Sequence, residues 1–438
     1  MRICKHKWAA LQIPRRAVTF ICLFAALTAL FFGLMCAVFT IPREQVESNT
    51  AAARPLLRDT SVGFGPETYF GDWVVLDYYT DGYMLDWALG SDNEQQEDTG
   101  LLPSAMISDY ARYWHGYMVY LRPALALGRL QDFRWVNALV QGAALCVLAA
   151  LLAKRLGLRI ALCFGVGLAL VDYQVVPYSI QYSGVFLVML GACIWLLARW
   201  QSDKFRWRLP YFFFVVGACT SFIDLLTAPM VTMGIPLLLT ALLRGKENGG
   251  ASPLRELRRL IAHGLAWAGG YISLWFGKWL IASVALGRNE ILVSLRQILF
   301  RAGASAQGYI LISEGESAPL RIWENFANLN RWQALQTAMQ IWMKNQRFTV
   351  FLLMMVLLTT LACLLSRHAR KALPQALPLL AIALIAPLWL LVLGQHTAIH
   401  AIFAYRNFMP TGLALLCLPA VLWGKVARAD IPFSRKKP

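Results

Sequence analysis

Long apolar stretches, about 18 residues or more with few charges inside them, recur along this chain and read as transmembrane helices. A backbone that crosses hydrocarbon must satisfy its own polar groups, so the pattern predicts an all-α, polytopic membrane fold. With 58% hydrophobic residues over 438 positions and a mean hydropathy of +0.52, a soluble globular domain is excluded. Ten spans are predicted at about 17–40, 133–153, 159–178, 182–199, 209–226, 228–243, 263–286, 348–366, 376–394 and 405–424. They form one integral membrane domain over 1–438. Its first span reads as a retained anchor, since an apolar core of about 23 residues exceeds that of a secretory signal.

The segments between spans alternate in charge. Arg15-Arg16, Lys154-Arg155, Lys204 to Arg208, Arg244 to Arg259, Arg367 to Lys371 and Arg435 to Lys437 fall on one side. By the positive-inside rule that side is cytoplasmic, with both termini and the tail 425–438. The net charge of +17 therefore reads as a topology signal and not as a nucleic-acid footprint. Two large segments, about 41–132 and about 288–347, face outward. Sixteen Trp and fifteen Tyr suit a membrane boundary. The nine Cys lie in spans or near the N-terminus, so no disulfide is expected, and no zinc spacing occurs.

Of the 24 acidic residues, 13 lie between Arg43 and Arg129, in the first outer segment. The stretch 77–89 (DYYTDGYMLDWAL) is helix-compatible, with Asp77 and Asp81 four apart on one face. Such carboxylates serve as a general base at the membrane edge, or as solvated or helix-starting acids. A polar run, Ser91 to Gly100, reads as a surface turn. Within 108–137, Tyr110, Tyr113, Trp114, Tyr117 and Tyr120 recur at helical intervals and predict an interfacial aromatic stripe, broken at Arg122-Pro123. Arg112, His115 and Arg122 among them suit a lipid phosphate, or simply snorkel to water. Asn137 is placed to hydrogen-bond between helices.

Ionisable residues at membrane depth face a cavity or a partner. Asp172, Asp224, Lys278 and the group His396, His400, Tyr405 and Arg406 all fall toward the outer half and predict one outward site. His396, His400 and Arg406 read as a polar, partly cationic patch at the outer mouth, or as partners that neutralise buried Asp224 or Asp172. The His396/His400 pair has metal-ligand spacing without an HExxH pattern, so neither metal nor cofactor is expected. In the second outer segment, 289–304 and 321–346 read as basic amphipathic helices. Their charge complements the acidic first segment, and 244–260 reads as a flexible link with a basic surface helix.

The strings DYYTDGYML, YARYWHGYMVYLRP, SFIDLLTAP, GYISLWFGKW and HTAIHAIFAYR together resemble a group of bacterial polytopic membrane proteins. More widely, the chain is similar to the GT-C class of membrane glycosyltransferases. That resemblance implies a plasma-membrane enzyme moving sugar from a polyprenyl-phosphate carrier to an envelope acceptor at the outer face. It implies Asp77 or Asp81 as the catalytic acid by position, and a loop helix around Arg112 and Arg122. The carrier phosphate would fall to Arg406, His396 or Lys278, within a substrate-binding set that adds His115, Asp224 and His400. Two other functions fit the same residues: a transporter or flippase using Asp224 and Lys278, and a non-catalytic partner in envelope assembly.

Overall fold

A computed structural model describes residues 15–59, 63–64, 66–69, 74–90, 100–247, 252–302, 330–345, 347–366 and 376–429. The sequence-predicted turn over 91–99, the segment 303–329 of the second outer loop and the basic residues 367–371 and 435–437 lie outside them. The regular structure of the described residues is helical apart from two short antiparallel pairings. Strand β1 (Arg58–Asp59) pairs with β2 (Gly63–Phe64), and β3 (Pro66–Tyr69) pairs with β4 (Val74–Asp77).

The chain opens with α1 (Arg15–Phe39), whose buried side chains are Phe31, Met35 and Val38. That single stripe faces protein and leaves the remaining apolar surface uncovered, the pattern of a helix whose solvent is hydrocarbon. Short helices follow: α2 (Arg43–Ala53), α3 (Tyr78–Trp87), α4 (Leu101–Met106) and α5 (Met118–Leu127). Then come α6 (Leu130–Leu156), α7 (Leu158–Ala169), α8 (Ile180–Arg199), α9 (Asp203–Trp207), α10 (Leu209–Ile223), α11 (Pro229–Glu247) and α12 (Pro253–Leu286). After α13 (Glu290–Arg301) the described chain resumes with α14 (Arg331–Asn345), α15 (Arg347–Leu365), α16 (Leu377–Ala383) and α17 (Ile385–Val392). It ends with α18 (Gly394–Ile399), α19 (Ala401–Ala404) and α20 (Met409–Ala429).

Among the described residues, four stretches are long and apolar enough to cross a membrane: Arg15–Phe39, Leu130–Leu156, Ile180–Arg199 and Ala401–Leu422. Several expected spans are shorter or broken, for identifiable reasons. The span expected at 159–178 is α-helical only through Ala169; Asp172 then turns left-handed (φ 54°) into a 3-10 turn, Tyr173–Tyr178. The span expected at 209–226 stops at Ile223, and Asp224 begins an extended loop. That expected at 376–394 divides at Leu384, because Pro387 has no N–H to give the Ala383 carbonyl. Thr411 Oγ1 takes that carbonyl at 2.7 Å. Conversely, the surface helix expected before the seventh span is continuous with it, as the 34-residue α12. Pro123, expected to mark a break, lies inside α5.

The tightest helix pair is α10 with α12. Gly217 and Gly270 bring the backbones together, and a Cβ on either would stand 2.0 Å from a carbonyl oxygen of the other helix. At one end of the bundle basic segments converge. Glu247 accepts from Trp200 Nε1 and Arg206 Nη1, both at 2.8 Å, and Lys246 donates to the Arg155 carbonyl. The opposite end carries α2 to α5 and α13. There Arg122 donates to the Val38, Ile41 and Ala88 carbonyls. It ties the end of α1 and the turn after it to the end of α3.

Candidate anion-binding cleft

The predicted site residues fall into three buried clusters and one cleft. Asp81 lies in the first. Its Oδ1 accepts from Ser179 Oγ (3.1 Å) and Gln181 N (2.9 Å), and its Oδ2 accepts from Ile180 N (3.0 Å). The first N–H groups of a helix lack internal partners, so Asp81 caps α8 from a distant segment. Asp77 ends strand β4 instead of sharing a helical face with Asp81, and its side chain lies outside the described residues.

A second cluster holds Asp172, Tyr405 and Arg406. Tyr405 Oη donates to Asp172. The Arg406 guanidinium, fully buried, stacks over the Tyr182 ring at 4.0 Å and beside Tyr405 at 4.8 Å. Lys278 forms a third, isolated point. It is buried against Met106, donating to the Met106 carbonyl at 3.0 Å, and so fastens α4 to α12. Neither Lys278 nor Arg122, both engaged with backbone carbonyls, offers its charge to an open surface.

His115 is also a pin. Its Nε2 lies 3.0 Å from the Tyr110 carbonyl, which can only accept, so Nε2 carries the proton and Nδ1 accepts from Tyr117 Oη at 3.0 Å. Burial, with the positive fields of Lys278 and Arg112, pushes its pKa down to about 3. The aromatic residues around it are not an exposed stripe. Tyr113, Trp114 and Tyr117 are buried, because 111–117 is irregular chain folded under the helices and not one interfacial helix.

The remaining residues converge. A small cleft, half open to the surface, is lined by Arg112, Tyr113, Leu226, Trp275, Trp279, Ser294, Gln297, Ile298 and Arg301. It joins the segment between α4 and α5, the loop after α10, the end of α12 and one face of α13. Arg112 lies over the Tyr110 ring at 3.6 Å. Arg301 donates from Nη1 to His396 Nδ1 (2.6 Å) and from Nη2 to Tyr110 Oη (3.4 Å). His396 is thereby fixed as the Nε2–H tautomer, donating to the Leu226 carbonyl at 3.0 Å. Burial, His400 and Arg301 hold the His396 pKa well below its ordinary value, and burial with Arg301 pushes His400 down to about 3. Both imidazoles are thus neutral, and the positive charge belongs to the guanidiniums. Burial raises the Tyr110 phenol, but Arg112 and Arg301 outweigh it and leave its pKa lowered.

Several buried polar atoms at or beside this cleft have no protein partner: Arg112 Nε, Arg301 Nε, Asp224 Oδ2, Tyr271 Oη, Trp275 Nε1 and Ser294 Oγ. Leaving such atoms unpaired costs about 1–3 kcal/mol each, so their gathering beside one opening marks a place for polar or anionic ligand atoms. Leu226 has φ 67°, a left-handed conformation costly for a branched-chain residue. Strain of this kind collects where surroundings fix a functional loop.

Arg301, Trp275, Trp279 and Ser294 are site residues that sequence reasoning missed. The available signal was the polar spacing Ser294, Gln297, Arg301 along α13, opposite exposed Leu292, Leu295 and Leu299. Among the described residues no three His, Cys, Asp or Glu side chains gather as metal ligands. No family model, no curated protein and no solved structure matches this chain.

Proposed function

We propose that this protein is a multi-pass membrane enzyme of the GT-C type, moving a sugar from a polyprenyl-phosphate carrier to an envelope acceptor. In this reading the spans number about ten, the cleft opens at the outer face of the plasma membrane, and both termini are cytoplasmic. One observation carries it: two guanidiniums, Arg112 and Arg301, each with an unpartnered Nε, beside the indoles of Trp275 and Trp279. Guanidiniums recognise phosphate by charge-assisted hydrogen bonds, and the indoles suit the first carbons of a lipid chain. Sugar transfer from a lipid phosphate leaves negative charge on that phosphate, and preorganised donors stabilise it as it forms.

The test is binding of polyprenyl phosphate to purified protein in nanodiscs, read by tryptophan fluorescence, followed by transfer of radiolabelled sugar from the same carrier. Arg301→Gln removes a hydrogen bond to a charged group, so binding should weaken about tenfold to a hundredfold. Arg112→Gln should act in the same direction. Unchanged affinity in both variants refutes the phosphate assignment. Lipid movement across vesicles without chemical change would identify a flippase instead.

A further inference from the structure

Asp224 is nearly fully buried, yet only one of its carboxylate oxygens is engaged. Oδ1 accepts from Thr227 N at 3.0 Å, while Oδ2 has no partner. Two hydroxyls are buried near it: Thr227 Oγ1, which lies within reach of the Asp224 carboxylate itself, and Tyr271 Oη, which has no partner. Tyr271 and Tyr113 both lie within the fields of Asp224 and Arg301, so carboxylate and guanidinium flank the same two phenols. Tyr271 is also packed on Trp275, a wall of the cleft, with ring centroids 5.1 Å apart.

The loop carrying Asp224 is held from every side. Gly116 N donates to the Phe222 carbonyl at 2.7 Å, and a side chain on Gly116 would collide with Phe222. Asn407 bridges the Thr227 carbonyl and Met230 N, and His396 holds the Leu226 carbonyl. Such bracing is what fixes Leu226 in its left-handed conformation. It also leaves Asp224 and Thr227 on either side of Leu226, and Tyr271 against Trp275, so all three are buried directly behind two walls of the cationic cleft. A carboxylate alone suits a cation, and guanidiniums alone suit an anion. Carboxyl and hydroxyls together beside guanidiniums suit a neutral hydroxyl-bearing molecule approaching a phosphate ester.

We propose that Asp224, Thr227 and Tyr271 form the acceptor subsite, and that Asp224 is the base of the reaction in place of an early-loop aspartate. This rests on the transferase reading above. An acceptor hydroxyl hydrogen-bonds to Asp224 Oδ2, and its oxygen forms a bond to the anomeric carbon. The bond from that carbon to the phosphate oxygen breaks, with its electron pair staying on the phosphate between Arg112 and Arg301. The hydroxyl proton passes to Asp224 Oδ2. Thr227 and Tyr271 orient the acceptor through its other hydroxyls.

The experiment uses the full chain in nanodiscs holding a radiolabelled polyprenyl-phosphate-linked hexose, with water and methyl glycosides as acceptors. Asp224→Asn keeps the Oδ1 bond to Thr227 and should retain polyprenyl-phosphate affinity within twofold. It should lower transfer and hydrolysis about 10²–10⁴-fold, the range for loss of a general base. Thr227→Val and Tyr271→Phe should raise KM for the methyl glycoside about tenfold at nearly constant lipid affinity, as loss of a hydrogen bond predicts. Should Asp224→Asn not fold, these two variants carry the test. A wild-type rate in Asp224→Asn, or an unchanged glycoside KM in both hydroxyl variants, overturns the subsite and leaves the transferase reading standing. Wild-type protein that binds polyprenyl phosphate and transfers no sugar overturns both.

Discussion

Asp81 shows how a residue's type can be legible while its role is not. Its position in an acidic stretch at the membrane edge fits a general base and a helix cap equally, and only the fold brings it to the start of α8, about a hundred residues away. Three hydrogen bonds to the α8 terminus show its carboxylate in use as a cap. Asp81→Ala should therefore lower stability by about 0.5–2 kcal/mol, the usual loss for an N-cap, visible as a lower Tm in detergent. Asp81→Asn should keep much of the cap and the phosphate affinity. His115 makes a second residue-level prediction. The folded imidazole stays neutral down to about pH 3, whereas the unfolded one takes a proton near its ordinary 6.5. Between those values the unfolded chain binds more protons, so stability is complete above about 6.5 and falls as the pH drops toward 3. His115→Gln should flatten the low-pH part of a Tm-against-pH curve; an unaltered slope contradicts the buried neutral state. Ionisable residues such as Asp224, Lys278, His396 and Arg406 stood out because charges are costly at membrane depth. Their partners did not, since Lys278 meets Met106 and His396 meets Leu226 across more than 150 residues.

At the scale of elements, apolar length was easy to read and its interruptions were not. The long α1, α6 and α8 follow directly from uninterrupted apolar runs. The break at Leu384 and the left-handed Asp172 depend on which neighbour can take a freed carbonyl, and Thr411 is such a neighbour. α13 was legible as amphipathic, but an interfacial helix and a cleft wall share the same pattern. Glycine contacts are the clearest case of hidden information. Gly217, Gly269 and Gly270 look alike in sequence, yet only the first and last stand against another backbone. A Cβ on Gly269 would meet the Phe214 ring at an ordinary 3.9 Å. Gly217→Val and Gly270→Val should each cost about 1–3 kcal/mol or more through overpacking. They should broaden the size-exclusion peak in detergent, while Gly269→Ala should behave as wild type. Equal tolerance of all three would mean that α10 and α12 are not in backbone contact.

For the whole molecule, the sequence-level charge alternation becomes a spatial one. Arg155, Arg206, Lys246 and Glu247, far apart in the chain, meet at one end of the bundle. Asp81, Arg122, the cleft and α13 occupy the other. Along the helices between, large apolar side chains such as Leu139, Leu162, Ile272, Val284 and Leu358 are exposed, a surface that water disfavours and hydrocarbon accepts. α1 and α6, at 25 and 27 residues, rise about 37 and 40 Å, enough to cross a hydrocarbon core of about 30 Å. Arg112, Asp224, His396 and His400 lie in or beside the cleft, while Asp81, Arg406 and Lys278 are buried in the packing around it. If the basic end is cytoplasmic, single cysteines placed in a cysteine-free background must report opposite sides. Lys204→Cys, beside Arg206, should react with a membrane-impermeant maleimide only after permeabilisation. Glu47→Cys, exposed on α2, should react in intact cells once any outer envelope is removed. Labelling of both from the same side would sever the link between charge pattern and topology. The cleft would then have no defined leaflet, and a carrier lipid presented at the outer face could not reach Arg112 and Arg301.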